Sequence, residues 1–219
     1  MNDLTVIVPI YYEKAEVVEN IYHGFKELGY QVIIVDDGDT THLKIPKITY
    51  SEHRGYGYAI KQGIRQATTS TVCTFDGDSQ HSINDVYKLY TVYQMVKDCK
   101  MVVGTRWGLK ESWYRKLGRK VLNFLATVIS GHYMVDLNSG LRVFDRQLAI
   151  SYETILCDTF SFTTSLSISM ISDGYKTAWF PIEISERMYG TSKVKVIQDG
   201  FITLYYIIRN GLAMRTRGL

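Results

Sequence analysis

Short apolar runs alternate with longer stretches whose apolar positions recur at helical spacing. Leu4–Ile10, Val32–Val35, Ile48–Tyr50, Thr71–Phe75 and Met101–Val103 are brief, β-branched or aromatic, and read as strands. Pro9 sits at the end of the first. Between them, Val17, Ile21, Phe25 and Leu28 mark a helix over 13–28, with Gly29 as its stop. Gly55–Ala67 reads as a second helix. Ile83–Val96 reads as a third, with Ser82 as N-cap. This alternation predicts an α/β fold, a mainly parallel sheet with helices on both faces.

The second half is less regular. Trp113–Ile129 is amphipathic, with Leu117, Val121, Leu122, Leu125 and Val128 beside a basic face. A polar turn over Asp136–Arg142 precedes Val143 and Phe144. Phe162–Ile171 reads as a helix and Thr177–Ile184 as a strand. Val194–Met214 reads as one long amphipathic helix, or as two pieces broken at Gly200 and Gly211.

Composition narrows the class. The 219 residues suit one large α/β domain. A net charge of +3 is too small to indicate a nucleic-acid binder. Cys73, Cys99 and Cys157 lack metal-ligand spacing and fit a reducing, cytoplasmic setting. The apolar run Phe201–Ile208 is far below the roughly 20 residues needed to span a bilayer. The expectation is a soluble or peripheral protein. The late tyrosines and arginines fit a membrane surface and core packing equally well.

Three acidic loops follow the first, second and fourth predicted strands: Pro9–Glu13, Asp36–Gly38 and Asp76–Asp78. Ligands of parallel α/β sheets bind beyond the carboxyl ends of the strands. Asp76 and Asp78, one residue apart, offer hard oxygens suited to Mg²⁺ or Mn²⁺ shared with a diphosphate. The competing reading is a polar turn that ends a strand. A nucleotide sugar would supply the diphosphate as leaving group. Gln80 is a candidate third ligand, His81 reads as a satisfied loop histidine, and Asp36 or Asp37 as a partner for base or ribose.

In order and spacing, several segments resemble family 2 glycosyltransferases with the GT-A fold. They are Pro9-Ile10-Tyr11-Tyr12-Glu13, Val35-Asp36-Asp37-Gly38, Arg54-Gly55-Tyr56-Gly57 and Asp76-Gly77-Asp78-Ser79-Gln80-His81. Gly104-Thr105-Arg106, residues 115–123, Asp136–Arg142 and Arg187–Lys193 resemble the branch of dolichol-phosphate mannose synthases and polyprenyl-phosphate glycosyltransferases. The resemblance implies metal-dependent, inverting transfer of a hexose from GDP-mannose or UDP-glucose to a polyprenyl or dolichyl phosphate. By position, Pro9, Tyr11, Glu13 and Asp37 would hold the nucleoside, and Asp76, Asp78 and Gln80 the metal. Arg106 and Arg115 would grip the acceptor phosphate, with Arg119 as a further candidate. Arg187 and Lys193 would meet the donor diphosphate. It also implies a GT-A domain over 1–193, an amphipathic segment over 194–219 apposed to a cytoplasmic membrane face, and either a homo-oligomer or a small membrane-protein partner.

The chemistry of the acceptor agrees. A lipid phosphate is already ionised and needs positioning, which the planar guanidinium supplies in paired bonds. Asp136 is read as a brace for the turn ending at Ser139-Gly140. Two departures stand out: Tyr56 where many relatives carry lysine, and Asp39 where serine or asparagine is frequent. Two rival readings remain: a family 2 enzyme acting on a sugar or protein hydroxyl with Asp136 as base, and a catalytically silent nucleotide-sugar-binding subunit.

Overall fold

The structure, a computed structural model, describes residues 3–108, 112–185 and 196–215. The first half follows the predicted alternation: β1 (Leu4–Ile10), α1 (Ala15–Glu27), β2 (Gln31–Asp37), β3 (Lys47–Tyr50), α2 (Tyr56–Gln66), β4 (Thr71–Thr74), α3 (Ile83–Met95) and β5 (Cys99–Trp107). Then come α4 (Trp113–Ser130), β6 (Arg142–Asp145), α5 (Arg146–Ser151), α6 (Phe162–Ser172), β7 (Lys176–Glu183) and α7 (Val196–Arg215). The strands form one sheet in the order β3-β2-β1-β4-β6-β5-β7.

All seven residues of β1 are buried, because parallel neighbours flank it and helices cover both faces. Its side chains alternate accordingly. Leu4, Val6, Val8 and Ile10 join Val18, Phe25, Val86 and Leu89 of α1 and α3 on one face. Ile7 joins Ile60 and Ile64 of α2, Leu166 of α6 and Ile207 of α7 on the other. Ser82 caps α3 as expected, and Asp85 completes a reciprocal capping box.

The sheet is mainly parallel, as expected, and three features go beyond the sequence reading. β6 runs antiparallel between β4 and β5, so the sheet is mixed. The short helix α5 carries too few apolar positions to show periodicity, yet Asp145 caps it through Leu148 N. α7 is one continuous helix through both glycines, held by packing: Ile207 is fully buried, Thr203 Oγ1 bonds Ser161 Oγ at 2.8 Å, and Asn210 bonds Ser169 Oγ at 3.0 Å.

Candidate active site

The three acidic loops meet at one sheet edge, where a cavity of about 550 Å³ opens. Pro9 and Ile10 line it at the end of β1 and Tyr11 and Glu13 just beyond, Asp37 at the end of β2, and Asp76, Gly77 and Asp78 after β4. Tyr12 and Ser79 adopt left-handed backbone (φ 53° and 61°), an uncommon state for such residues. Each adjoins a cavity residue, as backbone strain often does at functional loops.

The two aspartates that end β2 do different work. Asp36 is fully buried and accepts bonds from Thr40 N, Thr40 Oγ1, Thr41 N and Lys47 Nζ at 2.8–3.1 Å. Burial raises its pKa, but the bonds from Lys47, Thr41 and Thr40 outweigh it and hold the carboxyl below its usual range. Asp36 thus fixes its own loop. Asp37 lines the cavity and accepts from Arg54 N (2.7 Å) and Gly55 N (2.8 Å). His53 Nδ1 lies 2.7 Å from Asp37, and its ring stacks on Tyr11 at 4.0 Å between centroids.

Asp76 and Asp78 are both partly exposed. The Tyr56 hydroxyl donates to Asp76 Oδ1 at 2.9 Å, so the residue that departs from the family pattern faces the first carboxylate. His81 Nε2 lies 3.7 Å from Asp76 Oδ2. Burial raises the Asp76 pKa, but His81 and Tyr56 outweigh it and keep the carboxyl below its usual range. A Cβ on Gly140 would collide with the Asp76 carboxylate, so any larger residue in the turn before β6 would displace that side chain. Asp78 Oδ1 accepts from Gln80 N at 3.1 Å. Gln80 Nε2 reaches Ser185 O at 3.4 Å, tying this turn to the chain after β7.

Arg106 ends in a forked pair with Asp136: Nε to Oδ2 at 2.8 Å and Nη2 to Oδ1 at 2.7 Å, with Arg106 N adding a third bond at 3.1 Å. Burial raises the Asp136 pKa, but Arg106 outweighs it and the pKa falls. Asp136 therefore braces Arg106, while within its own turn only its backbone carbonyl takes part, accepting from Ser139 N at 3.5 Å. Nearby Arg142 is fully buried. Its guanidinium bonds the carbonyls of Leu137, Ser139 and Thr163 and the Ser167 hydroxyl. Burial pushes its pKa down to about 10.

Of the residues singled out from sequence, Pro9, Tyr11, Glu13, Asp37, Asp76 and Asp78 share the cavity. Gln80, Arg106 and Arg115 lie outside its lining, Arg115 half-buried on α4. Arg187 and Lys193 fall outside the described residues. Thr159 and Phe160 before α6, and Gln198, Asp199 and Ile202 of α7, also line the cavity. No local pattern marks these five, because only packing of distant segments brings them there. His53 carried a weak signal, since it directly precedes Arg54-Gly55.

Among the described residues, no group of three or more His, Cys, Asp or Glu side chains converges as a self-sufficient metal site. No helix among them is long and apolar enough to cross a membrane.

Comparison with known proteins places these features. The sequence model of the family described as Glycosyl transferase family 2 matches residues 5–152. An undecaprenyl-phosphate 4-deoxy-4-formamido-L-arabinose transferase of Proteus mirabilis is 28% identical, over 94% of this chain and 66% of its own length. A UDP-N-acetylglucosamine–dolichyl-phosphate N-acetylglucosaminyltransferase of Methanococcus voltae is 24% identical, over 93% of this chain and 94% of its own. In fold, the chain matches glucosyl-3-phosphoglycerate synthase from Mycobacterium tuberculosis, solved with Mn²⁺, uridine diphosphate and phosphoglyceric acid. The TM-score is 0.74 at 14% identity, over 95% of this chain and 78% of the other. That likeness bears out the expected GT-A-like arrangement.

Proposed function

The chain belongs to glycosyl transferase family 2, and from that premise we propose that it moves a sugar from a nucleotide sugar to a polyprenyl or dolichyl phosphate, with inversion, at the cytoplasmic face of a membrane. One observation carries this reading. Residues from three separate loops, Pro9 to Glu13, Asp37 and Asp76 to Asp78, share one cavity in a chain whose relatives are named for transfer to lipid phosphates. GDP-mannose and UDP-glucose are the expected donors. The names of the relatives add N-acetylglucosamine and formamido-arabinose to the sugars worth testing.

Tyr11 and His53 offer the nucleoside a stacked aromatic wall, with Pro9, Glu13 and Asp37 around it. Asp76 and Asp78, with Gln80 as third candidate, would hold Mg²⁺ or Mn²⁺. Two carboxylates without a fuller protein shell suit a cation that also takes diphosphate oxygens and water. When bound, the ion supplies positive charge against the leaving diphosphate.

In the reaction, an acceptor phosphate oxygen forms a bond to the anomeric carbon. The bond from that carbon to the diphosphate breaks, and its electron pair leaves with the nucleotide. An ionised phosphate needs no base. The hydroxyl-acceptor alternative does need one, and Asp136, bonded three times by Arg106, is poorly placed to take a proton. Held by Asp136, Arg106 keeps a fixed orientation, and with Arg115 it is proposed to seat the acceptor phosphate. Arg187 and Lys193 are proposed for the donor diphosphate.

The test pairs binding with transfer. UDP or GDP with Mn²⁺ at 100 times its Kd should stabilise the fold by about 2.7 kcal/mol, or roughly 5–11 °C in Tm. Asp78→Ala should lose that shift and all transfer of radiolabel to an organic-soluble phospholipid, while keeping the ligand-free Tm. Full transfer by Asp78→Ala would refute the metal assignment. Donor binding without transfer to any lipid phosphate would leave the silent-subunit reading.

A further inference from the structure

Asp37 and His53 form a pair at the cavity wall. Asp37 is buried, and its carboxylate is already engaged. Oδ1 accepts from Arg54 N at 2.7 Å and Oδ2 from Gly55 N at 2.8 Å. Oδ2 also lies 2.7 Å from His53 Nδ1. A carboxylate only accepts, so Nδ1 carries a proton toward it. In the neutral imidazole this leaves Nε2 as the nitrogen with the lone pair. Among the described residues, none bonds Nε2. The ring lines the cavity and is half exposed, and Tyr11 lies against one of its faces with the planes 22° apart. Its tautomer and its tilt are thus both fixed.

A fixed lone pair at a binding wall reads hydrogen-bond donors. All nucleobases can stack on an aromatic ring, but they differ at the edge. Uracil carries N3–H between two carbonyls. Cytosine has a bare N3, which would set lone pair against lone pair, and adenine has a bare N1 in the same place. Guanine does carry an N–H there, but its 2-amino group beside it calls for a second acceptor. The carboxylate next to His53 is Asp37, whose oxygens already take three contacts. A site built around one hydrogen bond rejects an analogue that cannot make it, because the site's own polar atom is then left unpaired.

We propose that His53 reads the nucleobase of the donor through Nε2, with Asp37 as its positioning residue, and that the pair selects uracil. Asp37 then serves the nucleoside through His53 rather than by touching the base. The proposal deepens the nucleotide-sugar reading above and rests on it, and it is independent of the acceptor.

Calorimetry of the full chain with UDP and CDP tests it. The two share ribose and diphosphate and differ only at the base edge, so every other contribution cancels in their ratio. With Mn²⁺ at about pH 8, above the ordinary imidazole range, UDP should bind roughly tenfold or more tighter than CDP. The diphosphate of N3-methyluridine, which lacks the N–H, should lose a similar factor, and GDP should also bind more weakly than UDP. His53→Phe keeps an aromatic ring beside Tyr11 but has no lone pair. It should keep its Tm and shrink the preference for UDP over CDP by roughly tenfold. Asp37→Asn, a weaker acceptor for Nδ1, should shrink it part of the way. A histidine that only stacks, or an aspartate that only holds its loop, would leave the ratio where it is. An unchanged ratio in either variant therefore overturns the assignment. So does a wild-type chain that binds CDP, GDP or the methylated nucleotide as tightly as UDP, a comparison that needs no variant to fold. Transfer to polyprenyl phosphate separates this proposal from the functional reading. Lipid transfer with a base preference blind to His53 defeats this proposal alone. His53-dependent UDP binding without lipid transfer upholds it and defeats the lipid-phosphate acceptor.

Discussion

The phenol of Tyr56 and the carboxylate of Asp76 meet at 2.9 Å inside the cavity. Burial and the adjacent carboxylate push the Tyr56 pKa up, so the hydroxyl stays the donor at neutral pH. One hydrogen bond to a charged group contributes about 1.5–3 kcal/mol. If that bond aligns Asp76 for a cation, Tyr56→Phe should weaken Mn²⁺ binding in the presence of UDP or GDP by roughly tenfold, read by calorimetry, with little change in Tm. Unchanged Mn²⁺ affinity would make the bond merely structural. Arg142 shows the opposite use of a polar group. Without it, buried carbonyls of Leu137, Ser139 and Thr163 lose their donor. Arg142→Met should therefore cost at least about 3 kcal/mol in urea unfolding, because each orphaned acceptor costs about 1–3 kcal/mol. In the sequence, Arg142 and Arg106 are both arginines of family-like segments. Their surroundings alone make one an internal brace and the other a guanidinium beside the site.

At the scale of elements, the two glycines of α7 differ in what surrounds them. A Cβ on Gly200 meets nothing within 4 Å, whereas one on Gly211 lands on Ile129 of α4. Gly200→Ala should raise stability by about 0.5–1 kcal/mol through helix propensity. Gly211→Val should lower it by about 1–3 kcal/mol, because α4 must move away. In thermal melts the two variants should shift Tm in opposite directions, and equal shifts would contradict the packing of α7 on α4. Sequence alone leaves α7 open as one helix or two, since glycine weakens a helix anywhere. Burial of Thr203, Ile207 and Asn210 resolves it in favour of one. β6 is similar. Val143 and Phe144 mark a strand, but its antiparallel insertion depends on where β4 and β5 stand.

For the whole molecule, acid stability follows from where its carboxylates are placed. Asp36 and Asp136 both have lowered pKa values in the fold, while unfolded aspartates titrate near 3.9. Their contribution is complete above about pH 4 and is lost as pH falls through the folded values. The urea midpoint should hold steady from about pH 7 to 5 and drop below about 4, and Asp36→Asn should flatten that drop. The strand and helix order of the first half, the acidic loops at the sheet edge and the family resemblance were legible from sequence. They rest on local periodicity and on residues close together in the chain. The tertiary structure alone decided the split roles of Asp36 and Asp37, the pairing of Arg106 with Asp136, the Tyr56–Asp76 bond and the cavity wall from α6 and α7. Apart from the bonds of Asp36, which reach no further than Lys47, these join groups far apart in sequence, and no local pattern encodes which distant group fills the space a side chain faces.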